Sequence, residues 1–214
     1  IGLYSSSYNS ADGDVLNFYT ECYKGIQLAN SVICYGETTE DSSVRLQYID
    51  EARFLRAYYY YLLVQHFGGV SLTTTMFTTA EMNHKRQSAE LVYQFVIDEF
   101  SDLASDNSHL LERSDAVGEN FGRVNKRAAL HFLAKTYLTR GYETFADNDD
   151  FKNAAYYAEL AIVGEEPTIS FEDVFDIENE ENDEIFWSVQ YSSATLEDLS
   201  ADGNMQQSVF GVYL

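Results

Sequence analysis

The sequence predicts an all-α fold of antiparallel helical hairpins, with long loops and one short strand near the C-terminal end. Three observations predict it. Apolar residues recur at helical spacing in five separate segments. Polar or glycine-bearing connections divide those segments. The single proline, Pro167, falls just past the fifth segment, where it breaks no helix.

Residues 1–12 (IGLYSSSYNSAD) form an irregular lead-in rich in Ser and Tyr. The first helix is expected over 14–35, with Val15, Phe18, Cys22, Ile26, Ala29 and Ile33 on its apolar face. Asp12 or Asp14 supplies its cap, and Gly36 ends it. Residues 37–42 are a polar turn. The second helix, 43–67, organises the chain. From Asp50 to Phe67 it has no Gly or Pro, and it stops at Gly68-Gly69. Tyr48, Ala52, Leu55, Tyr59, Leu62 and His66 fall on one stripe, and Phe54, Tyr58 and Tyr61 on another. A helix apolar most of the way round belongs between other helices. The first stripe predicts nearly complete burial of Tyr59 and Leu62. The run Tyr58–Tyr61 requires rings that bury while their hydroxyls find polar partners. Gly68 suits the left-handed C-cap.

VSLTTT (70–75) reads as a short extended piece and 76–87 as a loop. Ser88 caps the third helix, which runs to Ala104 through Val92, Val96, Phe100 and Leu103. After a loop at 105–122, Asn125 caps the fourth helix, which ends at Gly141. An acidic loop leads to the fifth, 150–163, closed by Gly164. EIFWSVQY (184–191) alternates Ile185, Trp187, Val189 and Tyr191, which predicts the strand. Ala134 and Tyr137, followed by Ala154, Ala158 and Ala161, match the small and aromatic positions of a tetratricopeptide hairpin. The connection is longer than the strict repeat allows, so the repeat is degenerate. One domain over 1–214 is expected.

Composition narrows the function. The 214 residues carry 13 basic against 35 acidic side chains, a net charge of −22. Nucleic-acid binding needs a basic footprint, so that class is excluded. Docking on an anionic leaflet through a basic patch is excluded for the same reason. The 17 tyrosines and 14 phenylalanines suit stacking on sugar-like ligands, although most are expected to fill helix contacts. Cys22 and Cys34 lie on one helix about 18 Å apart, beyond disulfide reach, and are expected to be buried thiols. No run of about 20 apolar residues exists to span a membrane.

Catalytic signals are few. His66, His84, His109 and His131 lack metal spacing, and no nucleophile elbow, HExxH or Walker loop occurs. Asp147, Asp149 and Asp150 are the one candidate calcium cluster, but the glycine and terminal glutamate of an EF-hand loop are missing. No cofactor is expected. Glu51, Arg53 and Arg56 are expected to form structural ion pairs. Arg123, Lys126 and Arg127 crowd a helix N-terminus, where positive charge is unfavourable, so acidic neighbours are expected.

Four ordered blocks carry a family resemblance. EARFLRAYYYYLLVQHFGGVSL (51–72) resembles the signature helix of the SusD/RagB family, with Ser71 where proline is usual. Tyr23, Ile26, Ala29, Asn30 and Ile33 match a preceding helix block, with Tyr19 in place of tryptophan. GRVNKRAALHFLAKTYL and FEDVFDIENEENDEIFWSVQY are similar to two further blocks. The resemblance covers the N-terminal portion of a typical member, so the chain is expected to be part of a longer protein.

The resemblance implies a cell-surface lipoprotein of the outer membrane. It is expected to be lipid-anchored through an upstream segment and to bind an oligosaccharide, or in a minority of members a peptide. It is expected to work with a TonB-dependent, SusC-like transporter and to cleave nothing. Family binding loops are poorly shared, so the ligand residues are chosen on chemistry. Tyr4, Tyr8 and Asn9 of the lead-in are the candidates, with loops 76–87 and 105–122 behind them. Two rival classes stand: a tetratricopeptide-type scaffold for proteins, and a carbohydrate-active enzyme with an unrecognised carboxylate pair.

Overall fold

In the computed structural model, residues 13–38, 42–79, 84–113, 120–164, 166, 168–176, 179, 182 and 184–189 are described. They form α1 (Gly13–Gly36), α2 (Ser42–Phe67), α3 (Ala89–Leu103), α4 (Lys126–Arg140), α5 (Asp150–Ile162) and a single turn, α6 (Phe171–Val174). The first five helices each pack chiefly on their neighbours in sequence, α1 on α2, α2 on α3, α3 on α4 and α4 on α5. This is the all-α hairpin architecture that the periodicity predicts.

The caps fall where the residue types place them. Ser88 Oγ accepts from the Leu91 amide, and Asn125 Oδ1 accepts from the Ala128 amide. Gly68 and Gly164 take φ values of 66° and 76°, which a β-carbon would oppose. Short α6 had a signal of its own, Ser170 ahead of two acidic residues. The Ser170 hydroxyl accepts from the Asp173 amide.

The core centres on α2. Phe54, fully buried, meets Phe100 of α3, Phe132 of α4 and Trp187 edge-on at 5.3–5.8 Å. Tyr60 and Leu63 are also fully buried, with Ala57, Tyr61 and Val64 beside them. Tyr59 and Leu62 are only half-buried, against expectation. Their stripe turns toward α1, a single helix with open flanks, whereas the opposite face is enclosed by both α3 and α4. A helix apolar all round does not encode which face lies deepest.

The four tyrosines separate into four roles. Tyr58 packs on Phe132 and Trp187, Tyr61 lies beneath Lys135, and the Tyr60 hydroxyl bonds Thr73. Tyr59 lies against Gly25 of α1, where an added β-carbon would stand 2.3 Å from its ring. Gly25→Ala is therefore expected to cost about 1–3 kcal/mol, the usual penalty of overpacking. Urea unfolding measures it, and a loss below about 0.5 kcal/mol, the scale of surface changes, contradicts this α1–α2 crossing.

The hairpin of α4 and α5 is closed by stacked Tyr137 and Tyr157 rings, 5.6 Å apart, and by buried Ala154 and Ala161. Arg140 forks onto fully buried Asp150, which also accepts the Asp147 amide. Asp150 is thus a strut for the connection, with its charge neutralised by an arginine. Among the described residues, no group of three or more acidic, His or Cys side chains is placed to hold a metal ion.

Two expectations are corrected here. No strand forms among described residues 184–189, and the one isolated β-bridge among the described residues joins Leu111 to Asn125. The segment finds no partner strand there. Asn125 Nδ2 donates to the Phe186 carbonyl instead, and Trp187 inserts among aromatic rings. Cys22 is buried, but Cys34 is exposed. Twelve residues at about 100° each turn Cys34 roughly 120° away from Cys22 around the helix. Both are free thiols, and burial beside Glu21 pushes Cys22 up to about 11.

The basic triplet is compensated in two ways. Arg123 forks onto Glu51 at 2.8–3.0 Å, and Lys126 meets Glu112 at 2.5 Å. Arg127 departs from expectation by donating to the Ala161 and Val163 carbonyls, where it caps the C-terminal end of α5.

Candidate functional site

The residues that carry the helical signature fasten one loop. Asn30, fully buried on α1, donates through Nδ2 to the Thr73 and Thr75 carbonyls at 3.0 and 3.2 Å. Its Oδ1 accepts from Arg56 Nη1 at 2.9 Å. Arg56 also donates to the Thr74 carbonyl and, through Nη2, to Glu99 at 3.0 Å. Arg53 joins Glu99 to Asp102. The Tyr23 hydroxyl donates to the Ser71 carbonyl at 2.8 Å. Segment 70–75 is therefore held on α1 and α2 through its carbonyls, and Val70 and Thr73 also turn their side chains into the core. The expected structural role of Arg53 and Arg56 holds.

Gly68 and Gly69 turn the chain out of α2 into this segment. At Gly69 an added β-carbon would lie 2.2 Å from the Gln87 carbonyl oxygen, so the returning strand of the loop passes directly over it. Arg86, on that return, donates to the Gly69 carbonyl, and its Nη2 to the Phe67 carbonyl at 2.7 Å. It satisfies the end of α2 electrostatically.

These elements enclose a cleft of about 220 Å³ between Tyr19, Phe67, Gly69, Val70, Ser71 and Arg86. Tyr19 meets Phe67 edge-on at 5.1 Å and Tyr23 at 4.9 Å. Phe18 lies 4.9 Å from His66 at the rim. Burial and the Tyr19 hydroxyl push Tyr23 well above the usual phenol range, so it remains a neutral donor. Aromatic walls beside a guanidinium and hydroxyls suit a ring that presents both C–H faces and hydroxyl groups.

Tyr4, Tyr8 and Asn9 lie outside the described residues, as do 80–83 of the first reserve loop and 114–119 of the second. α1 begins at Gly13, at the same end of the bundle as the cleft. Tyr19, Ser71 and Arg86 were not singled out as ligand residues from sequence. Arg86 appeared only as a member of its loop, and what places it, the return over Gly69, is a tertiary contact.

A second concavity, about 800 Å³, runs between α1 and α2 past Leu28, Val32, Tyr35, Val44, Tyr48 and Leu55. Its lining is mostly apolar and its chemistry fits a protein better than a sugar. Among the described residues no helix is long and apolar enough to cross a membrane.

Residues 2–138 match the sequence model of a SusD-like family described as starch-binding and associating with the outer membrane. A SusD-like protein of Bacteroides ovatus is 30% identical over 190 residues, which cover 84% of this chain and 33% of that protein. The solved structure of a SusD superfamily protein from Parabacteroides distasonis superposes with a TM-score of 0.76 at 25% identity. It covers 87% of this chain and 40% of its own. A crystal structure with xylogluco-oligosaccharide gives a TM-score of 0.74 at 27% identity, over 86% of this chain and 37% of that one. The chain thus spans about a third to two fifths of the length of these relatives.

Proposed function

Because this chain belongs to the SusD-like family, we propose that it is the helical part of a nutrient-binding protein that captures an oligosaccharide without cleaving it. The single observation that carries this reading is the aromatic cleft between Tyr19, Phe67 and Arg86, built on the fastened loop 70–75 and facing the end where the lead-in joins α1. A relative solved with a xylogluco-oligosaccharide supports the ligand class. The protein works at the cell surface, lipid-anchored through an upstream segment, and delivers its ligand to a TonB-dependent, SusC-like transporter.

The absence of cleavage is supported by the carboxylates. Asp50 accepts from the His109 amide and imidazole, Glu51 holds Arg123, Glu99 holds Arg53 and Arg56, and Asp150 holds Arg140. These four carboxylates are already committed to structural partners within the fold. The apolar groove between α1 and α2 favours, as the second reading, a scaffold that binds only proteins.

Tyr4 and Tyr8 complete the cleft from the lead-in in this proposal. Replacing both with alanine is expected to weaken oligosaccharide binding at least tenfold, about 1.4 kcal/mol, with an unchanged melting temperature. Isothermal titration of the two proteins measures it. Superimposable isotherms remove the lead-in from the site.

A further inference from the structure

A separate cavity lies on the far side of α2, between the first half of α4 and residues 184–189. It measures about 450 Å³, within the range that encloses small ligands, and Phe67 of the first cleft lies well along α2 from it. Trp187 and Phe132 meet at its wall, and Phe54 and Tyr58 hold the indole edge-on from behind at 5.3 and 5.2 Å. Trp187 is thus fixed before any ligand arrives, and a fixed aromatic surface loses little entropy on binding.

The polar groups at this cavity are incompletely used. His131 touches Phe132 edge-on, yet neither ring nitrogen has a hydrogen-bond partner among the described residues. Glu184 Oε1 accepts both the Thr168 and Ile169 amides, at 2.5 and 2.8 Å, while Oε2 has none there. The Trp187 indole N–H is likewise without an acceptor among the described residues. Desolvation, helped by the charge of Lys135, holds the His131 imidazole below its usual range. A neutral imidazole offers one donor and one acceptor.

We propose that this cavity is a second carbohydrate subsite, taking one sugar unit against Trp187 with its hydroxyls on His131 and Glu184. It rests on the reading of the protein as a glycan binder and adds a site on a different face from the Tyr19 cleft. An aromatic surface flanked by one donor–acceptor group, one acceptor and one donor fits a polyol, whose every hydroxyl both donates and accepts. A purely apolar ligand would leave those three groups desolvated and unpaired, at a cost. Two subsites separated by roughly 14–20 Å along α2, from the helical rise between Tyr58 or Phe54 and Phe67, and lying on different faces of it, suit a long or branched chain held at two points.

Trp187 is the only tryptophan in the sequence, so its emission reports on this cavity alone. The test titrates the protein with xyloglucan heptasaccharide, maltoheptaose and laminarihexaose in turn, following indole fluorescence and calorimetric heat together. His131→Ala is the variant, with circular dichroism to verify its fold. The expected result is a saturable change in emission with at least one glycan, weakened about fivefold by His131→Ala, the loss of one hydrogen bond to the ligand. Calorimetric binding with unchanged Trp187 emission, or an emission change that His131→Ala leaves intact, overturns the subsite and leaves the glycan reading standing. Absence of both signals with all three glycans overturns the subsite together with that reading. If His131→Ala fails to fold, Trp187→Phe replaces it in calorimetry, where unchanged affinity overturns the proposal.

Discussion

Phe54→Ala is expected to destabilise the fold by about 3–5 kcal/mol, the range for truncating a fully buried aromatic ring. Phe54 is the residue at which α2, α3, α4 and the 184–189 segment meet, through Phe100, Phe132 and Trp187. Three edge-on partners lose contact at once, and the surrounding rings are too rigid to collapse into the space. That loss approaches the whole stability of an ordinary domain. Urea unfolding gives the value, and Phe54→Leu, which keeps most of the volume, is expected to cost clearly less. A loss below about 1 kcal/mol, the centre of the range for arbitrary substitutions, places the core elsewhere.

Arg56→Ala is expected to cost about 3–5 kcal/mol for a different reason, because it strands buried charge. The Arg56 guanidinium is the common partner of Asn30, the Thr74 carbonyl and Glu99, and it also lies over the Phe95 ring. Its removal leaves Asn30 Oδ1 unpaired at a fully buried site and Glu99 with one arginine instead of two. Replacing Arg56 and Glu99 together by apolar residues of similar size is expected to recover part of the loss, since no unpaired charge remains. A double variant as unstable as the sum of its singles contradicts this. Because Arg56 also holds the carbonyl of Thr74, Arg56→Ala is expected to loosen loop 70–75, and amide exchange there reads that effect separately from global unfolding.

Element boundaries were legible because they are local chemistry. Ser88, Asn125, Gly68 and Gly164 each act on the backbone within a few residues, so no tertiary knowledge was needed. The rotation of α2 was not legible. Its residues are apolar on every side, so pattern gives burial without saying whether α1 or the α3–α4 pair covers a stripe. The same limit placed Cys34 inside and drew a strand through Trp187. Alternation is a strand signal only if a ladder partner exists, and a deep aromatic cluster satisfies the same pattern.

The cleft was not legible in place. The Tyr and Phe content suited stacking on sugar-like ligands while most rings were expected to fill helix contacts, and the strong negative charge argued against nucleic acid. The cleft itself joins residues far apart in sequence, Tyr19 with Phe67 and Arg86 with Gly69. Asn30, matched by resemblance alone, and Arg56, expected as a structural ion-pair former, acquire a more specific reason in the loop they fasten. Trp187 was visible as the single tryptophan, but only its neighbours on α4 mark it as one side of a cavity.

The central claim is capture of an oligosaccharide without chemistry. Its most direct test is incubation with a panel of neutral plant and storage glycans, with binding and newly formed reducing ends followed in the same samples. The account predicts saturable binding to at least one glycan and no increase in reducing ends over the buffer control. New reducing ends, or binding to peptides and to no glycan at all, contradicts it.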